Sequence, residues 1–263
     1  MPVSIRKSYA DTSGGQIHYR HTGSGGTPIV LLQQTASSSQ MYLRMMGALG
    51  EDFELVAFDT PGFGGSFDPS PQPSIEDYAG WLFEAINAVG LSAFHLFGHH
   101  TGACIGVEIA VAHPDRVASL MICGPVPLTA AERHEFSKQF GKPITPTPDG
   151  SYLLETWEYL RSLGADRDLA LHHRELIDTL RAYEGRAMAY TAVWKQDWTA
   201  AYEKISCPLL LLCAEDDVLY PFFERAQMLR NDAKAVTIRG ANFEPDLDAG
   251  SVVSAIRKFL ADG

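Results

Sequence analysis

The stretch Phe97-Gly98-His99-His100-Thr101-Gly102-Ala103 decides the fold. The apolar run Phe94-His-Leu-Phe97 enters it, and a segment with helical character, Thr101 to Ala112, leaves it. It therefore reads as a tight strand-to-helix turn. Gly98 and Gly102 stand two residues either side of His100, which is the spacing of the Gly-x-Ser-x-Gly elbow. Such a turn is sharp and strained. It has no room for side chains at the glycines, and it lifts its middle residue above the sheet beside a helix N-terminus. In this chain the middle residue is an imidazole and not a hydroxyl.

Outward from the elbow, strand and helix alternate. Ile17 to His21, Ile29 to Leu32, Leu55 to Phe58, Val117 to Cys123, Pro208 to Cys213 and Ala235 to Ile238 read as strands. Met41 to Leu49, Phe222 to Leu229 and Asp248 to Leu260 read as helices. Ser74, followed by Glu76 and Asp77, caps another helix that runs to about Val89 and stops at Gly90. Continuous apolar strands separated by helices predict a parallel sheet covered on both faces. From Leu128 to Tyr202 no strand pattern occurs, and the segment carries Trp157, Trp194 and Trp198. It reads as a helical insertion (residues 128–202) into a core made of residues 1–127 and 203–263. Such an insertion lies over the carboxyl ends of the strands, where open α/β sheets bind ligands. The three tryptophans are candidates for lining an apolar pocket there.

Composition excludes other classes. The 263 residues are 46% hydrophobic and 20% charged, as in a globular chain. With 32 acidic against 21 basic residues the net charge is −11, which argues against nucleic acid or an anionic membrane as the partner. Cys104, Cys123, Cys207 and Cys213 fit neither a disulfide framework nor a zinc pattern and read as reduced thiols. The opening Met-Pro-Val-Ser-Ile-Arg-Lys has no apolar signal core, and the longest apolar run, within 208–214, is far too short to span a membrane. A cytoplasmic location is expected. Gly62-Phe-Gly-Gly65 lacks a Walker lysine and the dinucleotide spacing, so it reads as a turn. Neither a cofactor nor a metal is implied. A small-molecule substrate is the expected partner, and a homodimer stays open.

With these elements in place the chain resembles the α/β-hydrolase family over nearly its whole length. The resemblance rests on the elbow, on Asp59-Thr-Pro-Gly-Phe-Gly-Gly-Ser66 after a strand, on the helical insertion, and on Ala214-Glu-Asp-Asp-Val-Leu-Tyr-Pro221. It looks closest to a subset with a His-His-Thr-Gly elbow and a Gln-Thr pair in the loop Leu32-Gln-Gln-Thr-Ala36. The resemblance implies a mostly parallel eight-stranded sheet with helices on both faces and a helical cap. It places the family's acid at Asp217 and its oxyanion hole at the backbone N–H groups of Thr35 and Thr101. The family's histidine position falls in Arg239-Gly-Ala-Asn-Phe-Glu-Pro245, on Asn242, and no histidine follows His173. The expected Ser-His-acid set thus reads His100-Asn242-Asp217. An ordinary acyl-enzyme cycle is unsupported, because an amide cannot take a serine proton and there is no serine to give one.

An imidazole above the sheet can serve as a general base on water, as a nucleophile, or as a base that deprotonates a carbon or hydroxyl acid. Three readings follow. The first is hydrolysis of a small apolar ester or lactone, with Asp217 acting on His100 directly or through Asn242. The second is a cofactor-free lyase, isomerase or cyclase, and the third a ligand-binding pseudoenzyme. Gln33, Gln34 and His99 are further candidates for the substrate pocket, although His99 also reads as a supporting residue. Glu244 and Asp246 are candidate substitute acids. Glu215 and Asp216 read as loop acids, His95 as structural, and Cys104 as buried. The adjacent pair His172-His173 points to different helix faces and does not read as a metal site.

Overall fold

In the computed structural model of the chain, residues 4–70 and 72–262 are described. Met1 to Val3 of the opening segment lie outside the described residues, as do Pro71 and Gly263. Eight strands form one sheet: β1 Arg6–Thr12, β2 Gly15–Thr22, β3 Ile29–Leu32, β4 Leu55–Phe58, β5 Phe94–His99, β6 Val117–Cys123, β7 Leu209–Ala214 and β8 Lys234–Ile238. Their order is β1-β2-β4-β3-β5-β6-β7-β8. β2 runs antiparallel to both its neighbours, and every pair from β4 to β8 is parallel. The α-helices are α1 Leu43–Leu49, α2 Ile75–Ala88, α3 Thr101–Ala112, α4 Ala130–Gln139, α5 Ser151–Ser162, α6 Leu169–Arg181, α7 Tyr183–Lys195, α8 Trp198–Tyr202, α9 Phe223–Leu229, α10 Glu244–Leu247 and α11 Ala249–Ala261.

Strands β3, β4 and β7 are apolar at every position because both faces are covered. In β3, Val30 and Leu32 pack with the α2 and α3 side, among Leu82, Ile86 and Ile105. Ile29 and Leu31 pack on the opposite face with Met45 and Met46 of α1 and Ile256 of α11. Each of these buried side chains stabilises the fold by roughly 1.5–3 kcal/mol. Ser74 caps α2 through a reciprocal box with Asp77, as its position in the sequence predicts. The strand missing from the periodicity reading is β1. It is an edge strand in which only Ala10 is buried, so its sequence shows no apolar face to read.

Between β6 and β7 lie α4 to α8. These helices are tied to the sheet side by buried polar contacts. Ser37 Oγ donates to Glu175 at 2.7 Å and Ser38 Oγ donates to Asp178 at 2.7 Å. Arg174 donates both terminal nitrogens to Asp246, at 2.9 and 2.8 Å. Asp246 is thereby committed to holding α6 and is corrected from a candidate acid to a structural one. Among the described residues no helix is long and apolar enough to cross a membrane.

Candidate active site

β5 delivers the elbow and α3 leaves it. His100 sits between them with φ 48° and ψ −107°, a backbone conformation that side chains rarely adopt. The tightness of the turn explains both glycines. A Cβ on Gly98 would lie 2.4 Å from Gly102 O, and one on Gly102 would lie 2.0 Å from Leu32 O. The strained conformation survives because strand, helix and the neighbouring β3 together leave the chain no other path.

The imidazole is held by a direct contact. His100 Nε2 lies 2.7 Å from Asp217 Oδ2, and Asp217 is buried. Asp217 Oδ1 accepts from the Leu219 N–H at 2.6 Å, which fixes the carboxylate. With Nε2–H donating to Asp217, the ring's lone pair resides on Nδ1. Nδ1 has no hydrogen-bond partner among the described residues. The Cδ2–Nε2 edge lies over Gly124, where a Cβ would stand 2.1 Å from Cδ2 and 2.4 Å from Nε2. The Nδ1 edge is turned away from Gly124, and the residue as a whole borders the cavity. Gly124, at φ +67°, is a residue that the sequence reading missed. Gly124→Ala is expected to push the ring off Asp217, lowering any His100-dependent turnover by at least about tenfold. The unfavourable φ adds about 1–2 kcal/mol of destabilisation, so rate and thermal melt are read together.

Two residues that border the cavity with His100 carry backbone N–H groups without an acceptor among the described residues. Thr101 is the first residue of α3, where no intrahelical acceptor exists. Thr35 N–H likewise donates to no group among the described residues. The side chains of these residues hydrogen-bond to each other at 2.8 Å, joining the β3 loop to the α3 N-terminus. Thr35, Thr101, Gln34 and Asn242 all border the cavity with His100.

Several expected contributors are elsewhere. Asn242 is no link, since His100 and Asp217 touch without it. It lines the cavity wall next to Phe243. The Gln33 amide is buried and points away, donating to Phe58 O at 2.6 Å and accepting from Thr60 N–H at 2.7 Å. Trp157 stacks on His172 with ring centroids 3.5 Å apart, and Trp198 is buried against Tyr202 at 4.3 Å. Both are packing residues, and of the three tryptophans only Trp194 borders the cavity. His99 has no exposed surface with which to touch a substrate.

His99 has a different place. Its Nε2 lies 2.9 Å from Glu244 Oε2, and its ring centroid is 4.4 Å from that of His100. The Glu244 Oε1 accepts from the Ala214 N–H at 3.2 Å. Burial, and then the charge of Asp217, raise the Glu244 carboxyl well above the usual carboxylate range. Burial, and then His100, hold His99 well below the usual imidazole range. The Nδ1 of His99 has no partner, so its proton belongs on Nε2, donated to Glu244. Glu244 thus joins the site as a neighbour of Asp217 whose ionisation burial opposes. Donor atoms of His99, His100, Asp217 and Glu244 lie within 4.8 Å of one another, and this set could ligate a divalent cation. The separations of 2.7 and 2.9 Å within its two pairs are hydrogen-bond lengths. They are shorter than the roughly 3.3 Å between ligands about 2 Å from a tetrahedral metal.

The cavity, its open mouth included, holds about 650 Å³ of atom-free space, which suits a small ligand. Its far wall comes from α4 to α7, with Phe136, Phe140, Tyr159, Tyr190 and Trp194.

A family description of the alpha/beta hydrolase fold matches residues 27–228. The chain belongs to that family. It is similar to the protein named "Putative carbamate hydrolase RutD" from Klebsiella pneumoniae subsp. pneumoniae, with 29% identity over 74% of this chain and 76% of that protein. It is also similar to a fluoroacetate dehalogenase from a Burkholderia species, with 25% identity over 91% of this chain and 89% of the other. The solved enol-lactonase from Burkholderia xenovorans LB400 superposes with a TM-score of 0.81 at 20% identity, covering 97% of this chain and all of that one. The expected sheet and fold class are as observed, and the expectation of a hydrolase holds at the level of this family.

Proposed function

We propose that this α/β-hydrolase-family member hydrolyses a small carbonyl compound, an ester or lactone, with His100 as the reactive group. The observation that carries this reading is the Nε2 contact of His100 with Asp217, which leaves the Nδ1 lone pair free on a ring that borders the cavity together with Thr35 and Thr101. His100 acts as the general base. Its Nδ1 takes a proton from water as the water oxygen attacks the carbonyl carbon. The carbonyl oxygen gathers the electron pair and accepts from Thr35 N–H and Thr101 N–H, a form of stabilisation worth up to about 3–4 kcal/mol per donor. The imidazolium is balanced by Asp217. Its proton then passes to the leaving oxygen as the tetrahedral intermediate collapses. One imidazole combines the elbow position of a serine with the base function of a histidine. Relatives named as a carbamate hydrolase and an enol-lactonase support small carbonyl substrates.

The test is turnover of a graded set of p-nitrophenyl esters and simple lactones in heavy-oxygen water. One solvent oxygen per product acid is expected. Turnover without solvent oxygen would overturn hydrolysis in favour of proton-transfer chemistry, and tight binding with no turnover of any member would favour the ligand-binding reading.

A further inference from the structure

The cavity wall opposite His100 carries a charge that the protein leaves unanswered. Arg186 of α7 borders the cavity and is 5% exposed. One terminal nitrogen donates to Lys142 O at 2.7 Å. No carboxylate lies within ion-pair distance of its guanidinium among the described residues. The group is held between two rings, 4.9 Å from the Tyr159 centroid and 5.1 Å from that of Tyr190, which orient it without neutralising it. The one acid lining the same cavity, Glu175, is already paired with Arg174 and with Ser37. Beside these groups the Tyr159 hydroxyl is buried with no partner.

A buried cation is costly unless an anion or a full set of acceptors meets it. An arginine keeps its charge, and its planar fork matches a carboxylate with two parallel hydrogen bonds. We infer that Arg186 is a carboxylate-binding subsite, so that the cavity selects substrates bearing one carboxylate in addition to the carbonyl presented to His100. This rests on the reading of the cavity as the substrate site. A monoanion suits it better than a phosphate or phosphonate dianion, because there is a single free guanidinium and Glu175 stands in the same wall. The subsite would hold one end of the ligand to the cap while the other end reaches the elbow. The aromatic lining accounts for the apolar part between them.

The test uses binding and not turnover, so that its failure is distinct from failure of the hydrolase reading. Phenylacetate, phenylacetamide and benzylphosphonate are titrated by ligand-detected NMR against the wild-type chain, Arg186→Met, Arg186→Lys and His100→Ala. Phenylacetate is expected to bind at least about tenfold more tightly than the isosteric amide in wild type and in His100→Ala, and benzylphosphonate more weakly than phenylacetate. In Arg186→Met the acid–amide preference is expected to vanish. In Arg186→Lys, which keeps the charge and loses the fork, part of it is expected to remain. Equal binding of acid and amide by wild type, binding of neither, a preference that survives Arg186→Met, or tighter binding of the phosphonate would each overturn the assignment. If Arg186→Met does not fold, loss of at least half the preference in Arg186→Lys decides the matter.

Discussion

His100→Ala is expected to lower kcat/KM on any accepted ester or lactone by about 10²–10⁴-fold, the range over which a positioned base contributes. The substitution removes the one imidazole that borders the cavity, and it leaves the Thr35 and Thr101 N–H groups in place because they are main-chain groups. KM should therefore change little and kcat should carry the loss. Asp217→Asn is expected to be nearly as damaging, for a geometric reason. An asparagine amide facing His100 Nε2 at 2.7 Å can donate where the carboxylate accepts. Nε2 would then hold the lone pair and Nδ1 the proton, so the tautomer presented to the cavity would be the wrong one. The imidazolium would also lose its counter-charge. Steady-state kinetics on the two single variants and the double variant check this. The double variant should be no worse than the poorer single one, because both act through one imidazole. Full activity in His100→Ala would sink the proposed role, and independent, additive losses would break the link between His100 and Asp217.

The elbow was legible because its constraint is steric. Gly98 and Gly102 are demanded by backbone atoms 2.4 and 2.0 Å from where a Cβ would stand, and such demands mark a sequence at fixed spacing. The doubly covered strands were legible for a related reason, since burial on both faces removes polar residues from β3, β4 and β7. What escaped depends on pairs far apart in the chain. Nothing local marks His99 as the partner of Glu244, 145 residues away, or Gly124 as the floor beneath the His100 ring. The same limit explains the tryptophans. An aromatic residue in a cap helix packs equally well inward or sideways, and Trp157 finds His172 while Trp198 finds Tyr202. Gln33 and Gln34 are neighbours with opposite fates, the Gln33 amide going to β4 and its loop while Gln34 borders the cavity. Arg186 gave no signal, since an arginine on a helix is ordinarily solvated. Its burial without an ion-pair partner among the described residues sets it apart.

Glu244→Ala is expected to destabilise the fold by about 2–5 kcal/mol. It strands two buried donors, His99 Nε2–H and the Ala214 N–H, at about 1–3 kcal/mol each. For a chain of this size the melting temperature should fall by roughly 5–15 °C. Glu244→Gln separates charge from shape and makes the pH dependence the decisive readout. The folded carboxyl titrates well above its unfolded value because burial and Asp217 oppose its ionisation. The native state therefore keeps a proton that the unfolded chain gives up above about pH 4.3. The contribution of this group is fully present below that pH and is lost as pH rises toward the folded value, by up to about 1.4 kcal/mol per pH unit. Asp178, pushed up to about 7 by burial and by Glu175, has the same sign between about pH 4 and 7 and is untouched by this substitution. The difference in melting temperature between Glu244→Gln and wild type should accordingly move in favour of the glutamine variant from pH 4 to pH 8. The cost of replacing an accepting oxygen by an amide should dominate only at the acid end. A difference that stays constant with pH would mean that Glu244 is ionised in the folded chain. Asp217 and Glu244 would then both be charged in one buried site, and the His99 ring, 2.9 Å from Glu244, would be the nearest group to carry the balancing proton.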